Sequence, residues 1–298
     1  MTLERPVPAR LRLLAALLTV AAGAGAPRGP AAGPELAEAH KLYNSTDYDG
    51  SLRILLALPA KDGPVWELMG RDYYMQADYK KATAAFERAF ALDPANPDYA
   101  LWLGRAWGRR AELSSAFTAP FEASKARQYL EKSVELNPMN LDAQSDLFEY
   151  YLDAPGFLGG GLDRAEKTAA DMAKISPAEG QWAEAKLAER RKQTSSAEAH
   201  LRRAVELGPQ QVGKLIELAR FLMKQGRYQE ADQNFDRAES LAPGSPRLIF
   251  ARAETYIQAH HKVEVARELL KRYLNMSVTA DDPPKSEAAK LLHRAQGS

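Results

Sequence analysis

The chain has 298 residues, with 40 Lys and Arg against 39 Asp and Glu, no cysteine, and 45% hydrophobic residues. This composition is typical of a soluble globular protein, and the length predicts roughly two domains. The near-neutral charge argues against a nucleic-acid partner, because such a binder needs an excess of Lys and Arg on one face. The absence of cysteine excludes disulfides, thiolate nucleophiles and Cys-ligated metal centres.

Residues 1–24 have the order of a secretory signal peptide: arginines, then an apolar run, then small residues. The apolar run is about 10 residues long, whereas a helix that spans a bilayer needs about 20. Cleavage after Ala24 competes with cleavage after Ala26, and Gly25 is the favoured mature start because the second cut would be followed by Pro27. No cysteine can accept a lipid, so we predict a periplasmic or secreted protein. Residues 25–34 are predicted to be a flexible lead-in.

The body of the chain repeats, and its prolines mark the period. Five similar phrases end in proline: ERAFALDP, EKSVELNP, ADMAKISP, RRAVELGP and DRAESLAP, at Pro94, Pro138, Pro177, Pro209 and Pro243. Their separations are 44, 39, 32 and 34 residues, which indicates an underlying period of 34 with insertions in two units. We expect each proline to end one helix and turn the chain into the next unit.

Within residues 63–96, large and small side chains recur at helical spacing in two stripes, which predicts two helices. The stripes are Trp66, Met69, Gly70 and Tyr73, then Tyr79, Ala82, Phe86 and Ala89. Residues 212–245 repeat the scheme, from Leu215 to Pro243. This pattern resembles the tetratricopeptide repeat. The resemblance implies pairs of antiparallel helices that cross closely where Gly70 and Ala82 are small.

The resemblance extends to looser copies over nearly the whole mature chain, in residues 33–62, 97–140, 141–179, 180–211 and 246–280. The predicted fold class is therefore all-α: a right-handed superhelical solenoid of about seven tetratricopeptide helix pairs over residues 35–280. Residues 281–298 are predicted to hold a polar capping helix, from about Pro284 to Ala295, and a tail.

Residues that could carry catalysis are scarce. The five histidines stand in no metal-ligand spacing, and no G-x-S-x-G or S-x-x-K motif is present. The glycine-rich stretch 156–161 lacks the ending of a phosphate loop and is predicted to form a plain loop before a helix. The sequence therefore predicts no enzyme activity, no cofactor and no metal.

Two insertions are the most individual feature of the sequence. They cover residues 109–124 and 153–161, and we expect both to lengthen the turn inside consecutive repeats and to lie side by side. Phe117, Phe121 and Phe157 would then form an apolar cluster with Leu158. The loops grip a partner in one interpretation, and the phenylalanines only pack the loops together in the other.

The first helices of tetratricopeptide pairs line a concave groove, and the resemblance implies that the partner binds there. The lining positions hold basic and aromatic residues: Arg71, Tyr74, Arg105, Arg109, Arg220 and Lys224. Arginine can receive a carboxylate through a bidentate fork, which favours a partner with acidic groups. The middle unit places Asp142, Glu149 and Asp153 on the same lining, so Arg105 and Glu149 are alternatively a pair within the chain.

These features predict a non-enzymatic scaffold that binds a protein or peptide, in envelope or secretion assembly as the family resemblance implies. The alternative is a small-ligand binder or an enzyme built on the insertions 109–124 and 153–161. A closed pocket beneath the insertions would favour that alternative.

Overall fold

The structure is a computed structural model that describes residues 33–279 and 282–296. Within these ranges all regular secondary structure is helical, which confirms the all-α class. The predicted signal peptide and most of the lead-in lie outside the described residues, so the export signal stays a prediction.

Fifteen α-helices occur in the described part of the chain, which agrees with about seven pairs and a last single helix. In chain order they are α1 (Pro34–Asn44), α2 (Tyr48–Ala57), α3 (Gly63–Met75), α4 (Tyr79–Leu92), α5 (Pro97–Leu113), α6 (Ala119–Leu136), α7 (Leu141–Asp153), α8 (Leu162–Ile175), α9 (Pro177–Arg190), α10 (Thr194–Leu207), α11 (Val212–Lys224), α12 (Tyr228–Leu241), α13 (Pro246–Gln258), α14 (Val263–Leu274) and α15 (Lys285–Gln296).

The described residues form two compact units. The first comprises residues 58–168 and holds α3 to α7 with the beginning of α8. The second comprises residues 33–57, 169–279 and 282–296.

In the first unit, α3 and α4 cross where a glycine faces an aromatic ring. A Cβ atom built on Gly70 would lie 2.5 Å from the Phe86 ring, so only glycine permits this approach. Phe86 is fully buried, as are Ala82 and Ala89 on the same face of α4. The α5–α6 pair repeats the contact, with Gly104 against Leu130. Small residues therefore set the spacing between the helices of each pair, as the sequence predicts.

The first helices of this unit begin at side-chain caps. Asp62, Asn96 and Asn140 precede α3, α5 and α7, and each side chain accepts a backbone N–H from the residue three positions later, at 3.1, 3.4 and 3.1 Å. Such caps satisfy N–H groups that have no partner within the helix.

All five repeat prolines follow the end of a helix by two residues, as expected, and Pro177 differs from the others because it also begins the next helix. Pro177 is the first residue of α9, behind the cap Ser176, whose hydroxyl accepts the backbone N–H of Glu179 at 3.4 Å. Proline suits this position because its fixed φ is helical and its missing N–H would have no partner there. Only Ser176 separates α8 from α9, which explains the shortened spacing before Pro209.

The first insertion is mostly helical, so the expectation of a long turn over residues 109–124 is wrong. α5 has 17 residues and α6 has 18, against 13 and 14 in α3 and α4, and only residues 114–118 separate them. Arg110, Ala111 and Glu112 are good helix formers and continue α5. The second insertion is a loop, residues 154–161, that contains a 3-10 turn at Gly156–Leu158.

Four pairs are joined by turns of three residues whose middle residue is left-handed. These residues are Thr46, Ala77, Lys192 and Gly226, with φ of 63°, 61°, 60° and 74°. Glycine adopts this conformation without steric cost, whereas Thr46, Ala77 and Lys192 are sterically strained in it.

In the second unit, buried apolar side chains repeat at the positions that the sequence predicts, with Leu201, Leu215 and Phe235 at 1%, 0% and 0% exposure. The last helix, α15, buries Ala288, Leu291 and Ala295 and leaves most of its other residues exposed. Across residues 33–279 and 282–296, no helix has both the length and the apolar character needed to cross a bilayer.

The Gly70–Phe86 contact predicts the effect of one added methyl group. Gly70→Ala forces the Phe86 ring to move within a filled core, so we expect a loss of about 1–3 kcal/mol in the free energy of unfolding. Urea denaturation followed by far-UV circular dichroism measures it. Gly156→Ala is the matched control, because nothing lies within 4 Å of its added Cβ. Equal stability of the two variants would contradict the crossing described here.

Candidate functional site

The first helices of the first unit bring three predicted site residues around one indole ring. The guanidinium carbons of Arg71 and Arg105 lie 4.8 and 5.2 Å from the centre of the Trp102 ring, and the Tyr74 ring meets it edge-on at 5.5 Å. Arg71 and Arg105 are 34 residues apart, one repeat, which is why α3 and α5 present them side by side. We call Arg71, Tyr74, Trp102, Arg105 and Arg109 the arginine–aromatic surface. Trp102 is not among the site residues predicted from the sequence, although it lies within the repeat pattern beside Leu103 and Gly104.

Arg109 lies at the edge of this surface. Its guanidinium carbon is 5.4 Å from the centre of the Tyr79 ring, and its Nε donates to the Tyr79 hydroxyl at 3.3 Å. Tyr79 in turn meets Tyr74 edge-on at 5.2 Å. The rings of Tyr79, Tyr74 and Trp102 thus form a continuous row, and the guanidinium groups of the arginine–aromatic surface pack against it.

Each arginine of the surface has a carboxylate from the same chain. Arg71 forms an ion pair with Glu67, one turn earlier on α3. Arg109 pairs with Glu112 on α5 at 2.6 Å. Intramolecular pairs thus neutralise the cluster that the sequence predicts as a receptor for acidic groups.

Arg105 is held differently, because its carboxylates come from the next repeat. Its Nε donates to Asp146 of α7 at 2.5 Å, and its Nη2 lies 3.9 Å from Asp142. Asp146 lies one turn before Glu149, the partner that the sequence suggested. The Arg105 and Asp146 side chains are only 11% and 9% exposed. This pair connects two repeats beneath the surface.

Burial changes the proton affinity of two groups at this surface. It raises the pKa of the Asp146 carboxyl, because the attraction of Arg105 offsets only part of the desolvation cost. It also raises the pKa of the Tyr74 hydroxyl, which stays neutral at physiological pH. Tyr74 is therefore a hydrogen-bonding and ring-stacking group and not an anion.

Two of the three phenylalanines of the insertions, Phe117 and Phe157, are almost fully exposed. Phe117, Phe121 and Phe157 are 95%, 61% and 80% exposed. The expected apolar cluster, and the interpretation that these rings only pack the loops together, therefore fail for Phe117 and Phe157. Rings this exposed also cannot line a closed pocket.

A buried acid stabilises the tip of the first insertion. Glu122, 6% exposed, accepts two hydrogen bonds from Arg110, at 3.0 and 2.7 Å, and one from the Ser114 hydroxyl. The Arg110 guanidinium also stacks on Trp107 at 4.0 Å, and Phe121 meets that ring edge-on at 6.0 Å. These contacts tie the tip between α5 and α6 to both helices, and the sequence does not predict them.

In the second unit, the predicted residues Arg220 and Lys224 are also paired. Arg220 bonds Glu217 on its own helix and Glu254 of the next repeat, both at 2.9 Å. Lys224 lies 3.7 Å from Glu189. The two basic residues thus belong to a ladder of alternating charges along the first helices of this unit.

Glu217 is the centre of that ladder. Lys186 donates to it at 2.8 Å and the Trp182 indole at 3.4 Å. Burial opposes its charged form, but Lys186 and Arg220 outweigh burial and hold the pKa of Glu217 well below the usual range. The carboxylate therefore stays charged and joins three first helices through Lys186, Arg220 and Glu254.

The described residues offer little for metal or small-ligand chemistry. Within residues 33–279 and 282–296, no group of three His, Asp or Glu side chains is placed to hold a metal ion. A half-open cavity of about 490 Å³ lies in the second unit between the α1–α2 turn and the segment before α15. Hydroxyl and amide groups line it together with Met276, Val278 and one cation, Lys285, and it contains none of the predicted site residues.

Comparisons with known proteins identify two of the repeats and similar solved structures. A family model described as tetratricopeptide repeat matches residues 63–96, and a second of the same description matches residues 215–245. A tetratricopeptide repeat protein from Parabacteroides merdae has a similar structure, with a TM-score of 0.56 and 14% identity over 88% of this chain and 97% of that one.

Two further solved structures are similar over shorter or looser alignments. A thermophilic repeat protein of the same kind from Thermus thermophilus gives a TM-score of 0.49 and 22% identity, over 65% of this chain and 99% of that one. The C-terminal part of another, from Cytophaga hutchinsonii, gives 0.47 and 17%, over 86% and 99%. No curated protein matches the sequence.

The Arg105–Asp146 pair predicts a large single-variant effect and a rescue. Arg105→Met leaves a buried carboxylate without its main partner, so we expect a loss of about 3 kcal/mol in the free energy of unfolding at pH 7. The double variant Arg105→Met, Asp146→Leu removes both charges and should recover to within about 1 kcal/mol of the original protein. Urea denaturation measures both. A double variant as unstable as the single one would show that the pair has no such role.

Proposed function

We propose that this chain, a tetratricopeptide-repeat protein, is an exported, non-enzymatic scaffold that binds a protein or peptide partner on the first helices of its repeats. Two segments of the chain match tetratricopeptide-repeat models, and this fold suggests a protein-interaction scaffold. The observation that carries the proposal is the arginine–aromatic surface, where Arg71 and Tyr74 are partly exposed and the buried Trp102 ring, 4.8 Å from the Arg71 guanidinium, supports them. Aromatic residues and arginine are the residue types enriched in binding hot spots.

Arg71 and Arg105 have different roles in the proposed binding surface, because their ion pairs differ in burial. Arg71 pairs with Glu67 on the same helix, and the two side chains are 29% and 19% exposed. Such a pair within one helix stabilises by only about 0.5 kcal/mol, so an acidic group of the partner can replace Glu67 at little cost. Arg105 is committed to Asp146 and acts as support. We therefore propose that an acidic group of the partner binds at Arg71, with Tyr74 beside it.

A preformed surface favours binding. The ion pairs fix the guanidinium planes before the partner arrives, so little side-chain entropy is lost on association. The charge ladder at Arg220 and Glu217 has the same property in the second unit. The alternative of a ligand site built on the insertions gains no support, because Phe117 and Phe157 are exposed.

The proposed location is the periplasm or the outside of a bacterial cell, in envelope or secretion assembly. Its support is the order of basic, apolar and small residues in residues 1–24 and the absence of a cysteine that could carry lipid.

Charge reversal at Arg71 tests the binding surface. The immobilised Arg71→Glu variant should capture the partner from a native envelope fraction about tenfold less tightly than the original chain, because a repulsive carboxylate replaces a hot-spot cation. Quantitative mass spectrometry of the captured proteins measures the loss. Arg88→Glu is the control, since Arg88 is exposed on the second helix of the same pair. Equal capture by all three chains would contradict the proposed surface.

The N-terminus of the exported chain tests the location. Expression of all 298 residues in a Gram-negative host should deliver a periplasmic protein whose first residue is Gly25, because that cut leaves small residues before it and no proline directly after it. Intact mass and N-terminal sequencing of the periplasmic fraction measure it. A start at Pro27 would move the cleavage frame, and an uncleaved cytoplasmic chain would overturn the export proposal.

A further inference from the structure

The half-open cavity of the second unit lies between two segments that are far apart in the sequence. Residues 44–46, at the turn between α1 and α2, form one wall, and residues 275–279 with Lys285 form the other. Both walls belong to the same compact unit. The cavity volume of about 490 Å³ falls within the range of about 300–1,000 Å³ that is typical of small-molecule sites. The cavity therefore has room for a small ligand.

The wall at the α1–α2 turn is held by its own hydrogen bonds. The backbone N–H of Thr46 donates to the Tyr43 carbonyl at 2.9 Å, and the Ser45 hydroxyl donates to the Leu42 carbonyl at 3.0 Å. These bonds use main-chain acceptors of α1. They leave the Thr46 side chain and the neighbouring Asn44 side chain for other contacts.

The opposite wall is held in the same way. The backbone N–H of Met276 donates to the Tyr273 carbonyl at 3.0 Å. Thr279 donates to the Asp282 carboxylate through its backbone N–H at 2.8 Å and through its hydroxyl at 3.1 Å. The Tyr273 hydroxyl donates to the Pro283 carbonyl just before α15. Hydrogen bonds within each wall thus define the shape of the cavity before a ligand binds.

Four polar side chains of the lining take no part in these bonds. Among the residues that the structure describes, no hydrogen bond or ion pair joins the side chains of Asn44, Thr46, Ser277 and Lys285 to another group. They offer one amide, two hydroxyls and one ammonium, which together can donate to and accept from a ligand. All four are at least partly exposed, so water solvates them in the free protein. A ligand rich in hydroxyl groups can replace that water bond for bond.

The charge of the lining is unbalanced. Lys285 is the single charged residue among the nine that line the cavity, and neither Asp nor Glu is among them. Arg71, Arg105 and Arg220, by contrast, each have a carboxylate of the same chain. An ammonium without such a partner favours an anionic group on the ligand. Met276 and Val278 add an apolar patch that suits the C–H face of a sugar ring.

We propose that this cavity binds a small polyhydroxylated anion, such as a sugar phosphate or a sugar acid. The anionic group pairs with Lys285, and the hydroxyl groups bond Asn44, Thr46 and Ser277. Inorganic phosphate is a weaker match because it leaves most of the hydroxyl and amide groups unused, and a neutral sugar leaves Lys285 unused. The site is independent of partner binding at Arg71, which lies in the first unit.

Isothermal titration calorimetry with glucose 6-phosphate tests the site on the mature chain, from residue 25 onward. The buffer contains about 0.15 M salt, which screens unspecific attraction to surface charges. Lys285→Met should bind at least tenfold more weakly than the original chain, because it loses a charge-assisted hydrogen bond. Glucose should bind the original chain at least tenfold more weakly than glucose 6-phosphate for the same reason. Glucuronate is the second anionic probe, and the tighter of the two identifies the anionic group as phosphate or carboxylate.

Two further variants separate the cavity from the surface around it. Ser277→Ala removes one exposed hydroxyl and should weaken binding of glucose 6-phosphate about three- to tenfold, the effect of one neutral hydrogen bond. Lys290→Met is the matched control, because Lys290 is an exposed lysine of the same helix that does not line the cavity. This control should bind like the original chain. Circular dichroism checks that each variant keeps its fold.

Three outcomes would overturn the proposal. The first is no heat of binding from either sugar anion with the original chain. The second is equal binding by the Lys285→Met and Lys290→Met variants, since the anionic group would then lie elsewhere. The third is binding of inorganic phosphate as tight as that of glucose 6-phosphate, which would reduce the site to an adventitious ion only. None of these results depends on capture of a partner protein at Arg71.

Discussion

The close approach of two helices at a residue without a side chain sets the geometry of the first unit. At Gly70 the α3 backbone lies directly against the Phe86 ring, and Gly104 repeats this against Leu130. Because interiors are packed as densely as organic crystals, this spacing fixes which face of each first helix stays outside. Trp102 stacks on Phe86 at 5.8 Å and is buried, so the same core lies directly beneath Arg71 and Arg105. The position of the binding surface is thus a consequence of the core.

Charge pairs between repeats give the first helices a second link. Arg105 reaches Asp146 across one repeat in the first unit, and Arg220 reaches Glu254 across one repeat in the second. In isolation such pairs are a weak source of stability, because desolvation cancels much of their attraction. Their effect here is to hold side chains in one arrangement. The total charge of the chain is therefore near zero, yet basic and acidic side chains alternate in order along the first helices. A partner would bind to donors and acceptors that are already fixed in position.

The fold was largely predictable, because helical periodicity and the proline spacing are local signals. The errors came from features that depend on neighbours. Pro177 follows the end of α8 and at once begins α9 because Ser176 caps that helix, and the proline spacing alone does not show that the usual linker between the two helices is missing. Residues 109–124 were expected to be a turn, yet they extend two helices, since the buried Glu122 anchors Arg110 and Ser114. The acids that neutralise the arginines depend on which side chains meet in space. Charge counting therefore overstated the basic character of the surface.

The left-handed residues between paired helices show where helix packing outweighs local backbone strain. Thr46, Ala77 and Lys192 hold a conformation that glycine holds freely at Gly226. A side chain in that region costs on the order of 1 kcal/mol, and the packing of the helices on either side overcomes that cost. The turn geometry is therefore imposed by the helix pairs and not chosen by the turn residues. At three of these four turns the packing of the helix pair thus overrides the conformational preference of the turn residue.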